Sequence, residues 1–316
     1  MSDHVVEHDY HILPPSPWPF LAGLAAAVWG TGMVIFFAGL HARDGASPMK
    51  EFFFSRGMDM WGDAKVSSGG WLILLLGVLF GAYVMFGWWR DVAREAEVGD
   101  HTPVVQIGLR YGMIMFIMQE VMFFVGWFWM FFEFGLFRKV RAAWNGDVTE
   151  NPQAYLDSLG TNAGGNTIHS IGAWNLPFIN TLILLLSGTT VTWAHHALLK
   201  DDRKSASTGL GLTVLLGFFF IAVQAVEYRE AFVNRMTHGF WLDSNIYGST
   251  FFFATGFHGL HVLIGAIFLF VIWIRLMRGQ MSSKQHFGFE AAAWYWHFVD
   301  VVWLFLFTFV YVAFAL

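Results

Sequence analysis

Two ionisable side chains, His297 and Asp300, lie three residues apart inside an apolar run near the C-terminus. Residues three apart share one face of an α-helix, so the two side chains can contact each other or a common ligand. An ionisable side chain at membrane depth costs about 2.5–3.5 kcal/mol on insertion scales, so it usually has a partner. The spacing suits a redox or proton site. Because no convergent set of further ligands accompanies the pair, it favours polar contacts between helices.

Glu120 is a second ionisable residue within an apolar run. Its neighbours one helical turn away are Phe116, Ile117, Phe123 and Phe124, so nothing on its own helix can pair with it. One interpretation is a carboxyl that handles protons or faces a ligand. The other is a protonated acid that hydrogen-bonds across a helix interface. The residues leave both interpretations open.

Histidines occur in two close pairs, His258 with His261 and His195 with His196. The first pair shares a helical face, whereas adjacent residues point about 100° apart and do not easily bind one ion. A metal site needs more convergent ligands, and the chain has no cysteine. We therefore expect no metal in this chain, and we expect His258 or His261 to hydrogen-bond to the face that carries His297 and Asp300.

Basic and aromatic residues cluster at the ends of three apolar segments. They are Trp88, Trp89, His101, Arg110 and Arg275. Basic pockets between helices can hold anionic lipid headgroups, and paired tryptophans at headgroup level are common membrane anchors. Arg110 lies about two turns inside its segment. We therefore expect Arg110 and His101 to bind phospholipid and the tryptophans to anchor the chain.

The composition indicates a membrane protein. Hydrophobic residues make up 56% of the chain and charged residues 13%, against about 25% charged residues in soluble domains. The net charge of −5 argues against nucleic-acid binding. The first residues lack the basic start of a signal peptide, so we expect the first apolar segment to be retained.

Seven apolar segments are long enough to cross a bilayer as helices. They cover residues 18–40, 71–89, 104–137, 174–199, 209–231, 247–275 and 291–315. The sequence shows no alternation typical of strands, so we predict an all-α integral membrane protein with seven transmembrane helices. Small residues predict close helix packing at Gly23 and Ala27 in the first segment, and at Gly256, Gly259 and Gly265 in the sixth.

The basic residues also suggest an orientation. Lys and Arg divide almost evenly between the two sides, but they are denser in the short loops after segments two, four and six. The positive-inside rule therefore places those loops and the N-terminus in the cytoplasm and the C-terminus in the periplasm. Two long polar loops, 41–70 and 138–173, then fall on the outer face. Glu133 and Glu227 end their segments and are expected to be solvated interfacial acids.

Seven motifs in the chain resemble subunit III of cytochrome c oxidase, the haem–copper terminal oxidase. They follow the family order and cover nearly everything except the two long loops, which are longer than in compact members. The motifs are Pro14-Pro-Ser-Pro-Trp-Pro19, Gly108-Leu-Arg-Tyr-Gly-Met113, Glu120-Val-Met-Phe-Phe124, Thr192-Trp-Ala-His-His196, Tyr247-Gly-Ser-Thr-Phe-Phe252, Phe257-His-Gly-Leu-His-Val262, and the run from His286 to Trp303.

The resemblance implies an architecture and a setting. Helices 1–2 and helices 3–7 would form two groups separated by a V-shaped, lipid-filled cleft. Residues 1–100 would hold the N-terminal tail and the two-helix group, and residues 101–316 the five-helix group. Subunit I would be the main partner, with subunit II, small accessory subunits and the donor cytochrome c completing the system in a bacterial inner membrane. Haem and copper would belong to subunits I and II, and this chain would bind only phospholipid.

The resemblance also assigns roles to individual residues. Glu120 matches the family's buried functional carboxyl, which faces the cleft. The five basic and aromatic residues named above match positions around bound lipid, and the His258/His261 pair matches histidines that bind no metal. Glu133 departs from the family, where His or Lys is common.

The function implied is a non-redox subunit that supports subunit I and sustains oxygen and proton uptake in aerobic respiratory electron transport. The oxidase as a whole would pump protons and reduce O2 to water. A subunit III of a quinol oxidase is one alternative, although such proteins resemble only the last five helices. An independent proton channel that uses Glu120 is another, but the sequence shows no continuous polar path.

Overall fold

The computed structural model describes residues 15–43, 63–136, 171–233 and 246–313, and these residues form seven long helices. The helices are α1 (Trp18–Arg43), α2 (Asp63–Val98), α3 (Pro103–Leu136), α4 (Leu176–Leu199), α5 (Arg203–Val233), α6 (Ile246–Met277) and α7 (Phe287–Phe305). A π-helix, Leu306–Ala313, continues α7. The described parts of the chain contain no strand.

All seven helices are long and apolar enough to cross a membrane. Within lipid a helix satisfies its backbone hydrogen bonds internally, so apolar runs of this length fold as helices. The prediction of an all-α integral membrane protein with seven spans is confirmed. The arrangement of two groups around a cleft stays a prediction.

Several predicted helix boundaries were wrong. α2 begins at Asp63, inside the predicted loop 41–70, and it continues past its apolar part to Val98. Its last turns read Ala-Arg-Glu-Ala-Glu, and these residues favour helix in water as well as in lipid. Gly99, with φ of 92°, then ends the helix because this backbone conformation suits glycine. Most of the predicted loops, residues 44–62 and 137–170, lies outside the described residues.

The chain divides into two compact units, Met1–Gln106 and Ile107–Leu316. In the first unit α1 packs along α2 through glycines: a Cβ atom on Gly32 would overlap the backbone of Leu74, and one on Gly77 would overlap Trp29. Glycine therefore permits close backbone approach here. The expectation for Gly23 was wrong, since its Cβ position has no neighbour within 4 Å.

In the second unit α4 contacts α5 and α7, and α6 contacts α5 and α7. The core of this bundle includes Trp296 and Trp303, both fully buried. Glycines make room for them, because a Cβ atom on Gly217 or Gly265 would crowd the ring of Trp296. The helix α3 joins this unit through aromatic side chains, as the pairs Phe124–Phe298 and Phe128–Phe305 show.

Candidate functional site

Glu120 on α3 pairs with His261 on α6. The Oε2 atom of Glu120 lies 2.9 Å from Nε2 of His261, and the side chains are 20% and 10% exposed. Nδ1 of His261 lies 2.7 Å from the carbonyl oxygen of Phe257. A carbonyl can only accept, so Nδ1 must donate this hydrogen bond.

The tautomer determines what the pair can do chemically. With its proton on Nδ1, a neutral His261 presents Nε2 as an acceptor, and Glu120 must then carry the proton that is shared. If the proton moves to Nε2, the pair becomes an imidazolium and a carboxylate. The net charge is zero in both forms, which lowers the cost of placing these groups within a membrane span. The pair can therefore hold or pass one proton without changing its total charge.

Aromatic rings surround this pair. The ring of Phe124 lies 5.0 Å from that of His261, and the ring of Phe123 lies 6.0 Å away. Tyr295 and Phe298 from α7 approach the same imidazole at 6.4 Å. These rings limit access of water to the imidazole, so its hydrogen bonds act in a medium of low dielectric constant.

The pairing differs from what the sequence suggested for His261. We expected His258 or His261 to bond to the face of His297 and Asp300, but the imidazole nitrogens of His261 are taken by Glu120 and Phe257. The sequence alone left Glu120 without a partner because its own helix offers only apolar neighbours. The sequence feature that could have predicted this partner was His261, a histidine within a second apolar segment.

His258 does reach α7, where its Nε2 atom lies 3.2 Å from the carbonyl oxygen of Val299. The imidazole is fully buried against the rings of Phe220 and Trp303. It therefore joins α5, α6 and α7 in the core.

His297 and Asp300 form a polar contact between α7 and α4. Nδ1 of His297 lies 3.5 Å from Oδ2 of Asp300, and Nε2 lies 3.1 Å from Oγ1 of Thr192. Gly188 makes this possible, because a Cβ atom there would overlap Oδ2 of Asp300. Asp300 is buried, while the side chain of His297 is 45% exposed.

Arg110 is paired with an acid that the sequence analysis did not single out. Its Nε atom lies 3.0 Å from Oε2 of Glu290, which is the acidic residue in the first turn of α7. The Arg110 side chain is 41% exposed and that of Glu290 is 16% exposed. The guanidinium therefore keeps free donors for an anion while the ion pair fixes its position.

The other residues of the predicted lipid set lie in both units. Trp88 and Trp89 are exposed near the end of the apolar part of α2, and the carbonyl of His101 accepts a hydrogen bond from Gln106. Arg275 lies in the last turn of α6, where its Nε atom is 3.4 Å from Oε1 of Gln280.

Glu227 was placed wrongly as a solvated interfacial acid. It is only 2% exposed, and Tyr311 donates a hydrogen bond of 2.8 Å to its Oε1 atom. The sequence analysis also missed Gln224, one turn earlier on α5, whose amide nitrogen donates to the carbonyl of Thr255. The sequence did offer a signal, because Gln224 and Glu227 lie three residues apart within an apolar segment and therefore share a helical face.

Two further contacts tie α7 to α4. Trp296 donates through Nε1 to Oγ of Ser187, and Trp303 donates to Oγ1 of Thr181, both at 2.9 Å. In the described part of the chain, no three His, Asp or Glu side chains come together as a metal-binding group.

Comparison with known proteins agrees with this arrangement. The family model for cytochrome c oxidase subunit III matches residues 49–314. A relative from Prototheca wickerhamii, named cytochrome c oxidase subunit 3, is 44% identical over 306 residues, which cover 96% of this chain and 97% of the relative. Proteins of the same name from Struthio camelus and Triticum aestivum are 42% and 44% identical over 305 residues, with 96% of this chain covered. The chain belongs to the cytochrome c oxidase subunit III family.

Proposed function

We propose that this chain is the non-redox subunit III of a cytochrome c oxidase and that it supports subunit I during aerobic electron transport. The observation that carries the proposal is the match to proteins named cytochrome c oxidase subunit 3 over nearly the whole length of both chains. Haem and copper would be held by subunits I and II, and cytochrome c would supply the electrons. The N-terminus would lie in the cytoplasm and the C-terminus in the periplasm of a bacterial inner membrane.

Structural phospholipid is the ligand that we assign to this subunit. Helices 1–2 (residues 1–100) and helices 3–7 (residues 101–316) would enclose it in a cleft. Headgroup phosphates would be bound by Arg110, His101 and Arg275, and Trp88 and Trp89 would anchor beside them. The partial exposure of the Arg110 guanidinium, which Glu290 orients from one side, supports this assignment.

Glu120 is the residue that we propose to influence turnover. Its pairing with His261 suits a carboxyl that holds one proton in an apolar setting. The pair would sustain oxygen and proton uptake by subunit I. His258, His297 and Asp300 would instead serve as contacts between helices.

The donor test separates this function from its nearest alternative. The complex that contains this chain should be purified from its membrane and assayed with reduced cytochrome c and with a quinol. We expect oxidation of cytochrome c and the visible spectrum of haem in the partner subunits. A complex that oxidises only quinol would identify the chain as a quinol oxidase subunit, and proton flux through the chain alone in liposomes would favour a channel.

The lipid assignment has its own test. We expect Arg110→Gln to reduce the phospholipid that co-purifies with the complex and to shorten its active lifetime during turnover. Glu290→Gln removes the ion pair but keeps the cation, so lipid should be retained. Arg278→Gln, in the exposed turn that follows α6, is the matched control for loss of one positive charge. Equal lipid content in all three variants would contradict the assignment.

A further inference from the structure

Four buried polar side chains on α4, α5 and α6 have unpartnered atoms. These atoms are Nδ2 and Oδ1 of Asn180, Oε1 of Gln224, Oε2 of Glu227 and Nδ1 of His258. The four residues are 0%, 6%, 2% and 0% exposed, respectively. Buried polar atoms in proteins almost always have a hydrogen-bond partner, so each of these atoms needs an explanation.

Two of these side chains, His258 and Glu227, lie next to Trp303 or to a ring that contacts it. The imidazole of His258 lies 5.0 Å from the indole of Trp303, measured between ring centroids. The ring of Tyr311 lies 5.8 Å from the same indole, and its hydroxyl is the group that bonds Glu227. The indole nitrogen bonds Thr181, which follows Asn180 on α4.

The register of α4 against α5 brings Asn180 level with Gln224. Thr190 and Thr213 hydrogen-bond across these antiparallel helices at 2.8 Å. Asn180 lies ten residues before Thr190, and Gln224 lies eleven residues after Thr213. At about 1.5 Å per residue, they lie about 15 Å and about 16.5 Å from the threonine pair, towards the same end of the bundle.

The unpartnered atoms are mostly acceptors. Oδ1 of Asn180 and Oε1 of Gln224 accept, as does Oε2 of Glu227 when the acid is ionised, whereas the amide nitrogen of Asn180 donates. Nε2 of His258 faces a carbonyl and must donate, so its Nδ1 atom is also an acceptor. Exchanging the positions of the amide oxygen and nitrogen of Asn180 does not give either atom a hydrogen-bond partner, because both are unpartnered. The cluster therefore needs a small ligand that brings donors.

Two glycines of α6 face polar side chains of α5 near this cluster. Gly259 on α6 faces Gln224, and a Cβ atom there would lie 3.1 Å from its Oε1 atom. Gly256, one turn away, faces the hydroxyl of Tyr228, at 3.5 Å from its Cβ position. Gly259 therefore lets the amide of Gln224 pack close to the backbone of α6.

We propose that Asn180, Gln224, Glu227 and His258 form an internal water-binding site within the α4–α7 bundle. A water molecule donates two hydrogen bonds and accepts up to two, so it supplies the donors that this cluster lacks. The site uses none of the atoms of the Glu120–His261 hydrogen bond and does not depend on the proposed function of the chain. Its waters connect three helices and hold Glu227 beside Tyr311.

The test is a cryo-electron microscopy map of the purified complex at a resolution that shows ordered water. We expect density within hydrogen-bond distance of at least two of the four unpartnered groups. In Asn180→Leu this density should be lost next to α4. A map in which the amide of Asn180 bonds Gln224 or Glu227 directly, without intervening density, would overturn the proposal.

A second variant tests the water site if the complex that contains Asn180→Leu does not assemble. Gly259→Ala adds a methyl group beside Gln224 and should displace the density next to its Oε1 atom. Gly256→Ala is the matched control, since its methyl group meets Tyr228 at an ordinary contact distance and should leave that density in place. Unchanged density next to Gln224 in Gly259→Ala would contradict the site.

Discussion

The Oε2 atom of Glu120 lies 2.9 Å from Nε2 of His261, although 141 residues separate the two in sequence. Nδ1 of His261 is committed as a donor to the carbonyl of Phe257. The pair therefore shares one proton and carries no net charge. This relationship turns an apparently isolated membrane acid into one half of a neutral pair.

Replacement of His261 should lower the free energy of unfolding more than replacement of the Glu120 carboxyl by an amide. Glu120→Gln preserves a donor to Nε2 of His261, so we expect little change in stability. His261→Phe leaves Glu120 without its partner, and we expect the free energy of unfolding to fall by about 1–3 kcal/mol. Thermal unfolding of the purified complex measures both. His196→Phe changes an exposed histidine and should have no effect, and equal losses in His261→Phe and Glu120→Gln would contradict the shared proton.

A methyl group at Gly188 should break the contact between α4 and α7. Its Cβ atom would overlap Oδ2 of Asp300, so the carboxylate and His297 must move. We expect Gly188→Ala to destabilise the chain by about 1–3 kcal/mol, the usual cost of overpacking. Gly126→Ala is the control, because its Cβ position has no neighbour within 4 Å and alanine favours helix. Equal unfolding temperatures for the two variants would show that the overlap relaxes without cost.

The indole of Trp303 should contribute both volume and a hydrogen bond. Trp303→Phe removes the donor to Thr181 and leaves space in a fully buried position. We expect a loss of about 1–3 kcal/mol in the free energy of unfolding. Trp193→Phe makes the same change at a side chain that is 45% exposed, so its effect should be much smaller. Chemical unfolding of both variants in detergent compares them directly.

Arg110 and Glu290 should behave as an exchangeable ion pair. Reversal of either charge alone places like charges about 3.0 Å apart and should destabilise the chain. The double variant Arg110→Glu with Glu290→Arg should recover most of the loss. Because Arg110 is 41% exposed, we expect a coupling energy of about 1 kcal/mol in a double-mutant cycle. Additive losses would show that the pair does not couple α3 to α7.

Asp202 lies in the turn between α4 and α5 and should make the free energy of unfolding depend on pH. It caps α5, where its Oδ1 atom accepts the backbone N–H of Ser205 at 3.1 Å. Hydrogen bonds from the Ser205 side chain and backbone lower the pKa of Asp202 below its ordinary value. Its contribution is therefore present above the pKa of the unfolded chain and is lost as the pH falls through the lower pKa of the folded chain.

The comparison of wild type with Asp202→Ala tests this dependence. The difference between their unfolding temperatures should be largest near neutral pH and should vanish in acid. Asp202→Asn keeps a capping side chain but lacks the charge. Its unfolding temperature should therefore be lower than that of the wild type near neutral pH and should change less with pH. A difference between wild type and Asp202→Ala that stays constant into acid would exclude the carboxylate as the cause.

The sequence by itself determined the seven helices and the family. Length and hydropathy are local properties, so apolar runs such as that of α6 predict a spanning helix without knowledge of its neighbours. Family motifs such as Phe257-His-Gly-Leu-His-Val262 are also read directly from the chain. The helix ends were less predictable, because Ala, Glu and Arg extend α2 beyond its apolar part.

Only the tertiary structure decided which polar groups meet. The helices are apolar on nearly every side, since lipid and neighbouring helices both accept apolar residues, and their periodicity does not show which face packs inward. Glu120 faces His261, and Glu227 is buried against Tyr311, because α3, α5, α6 and α7 pack in one particular register. The cost of an unpaired polar group in lipid explains why partners were expected, and the packing of the helices determines which residues they are.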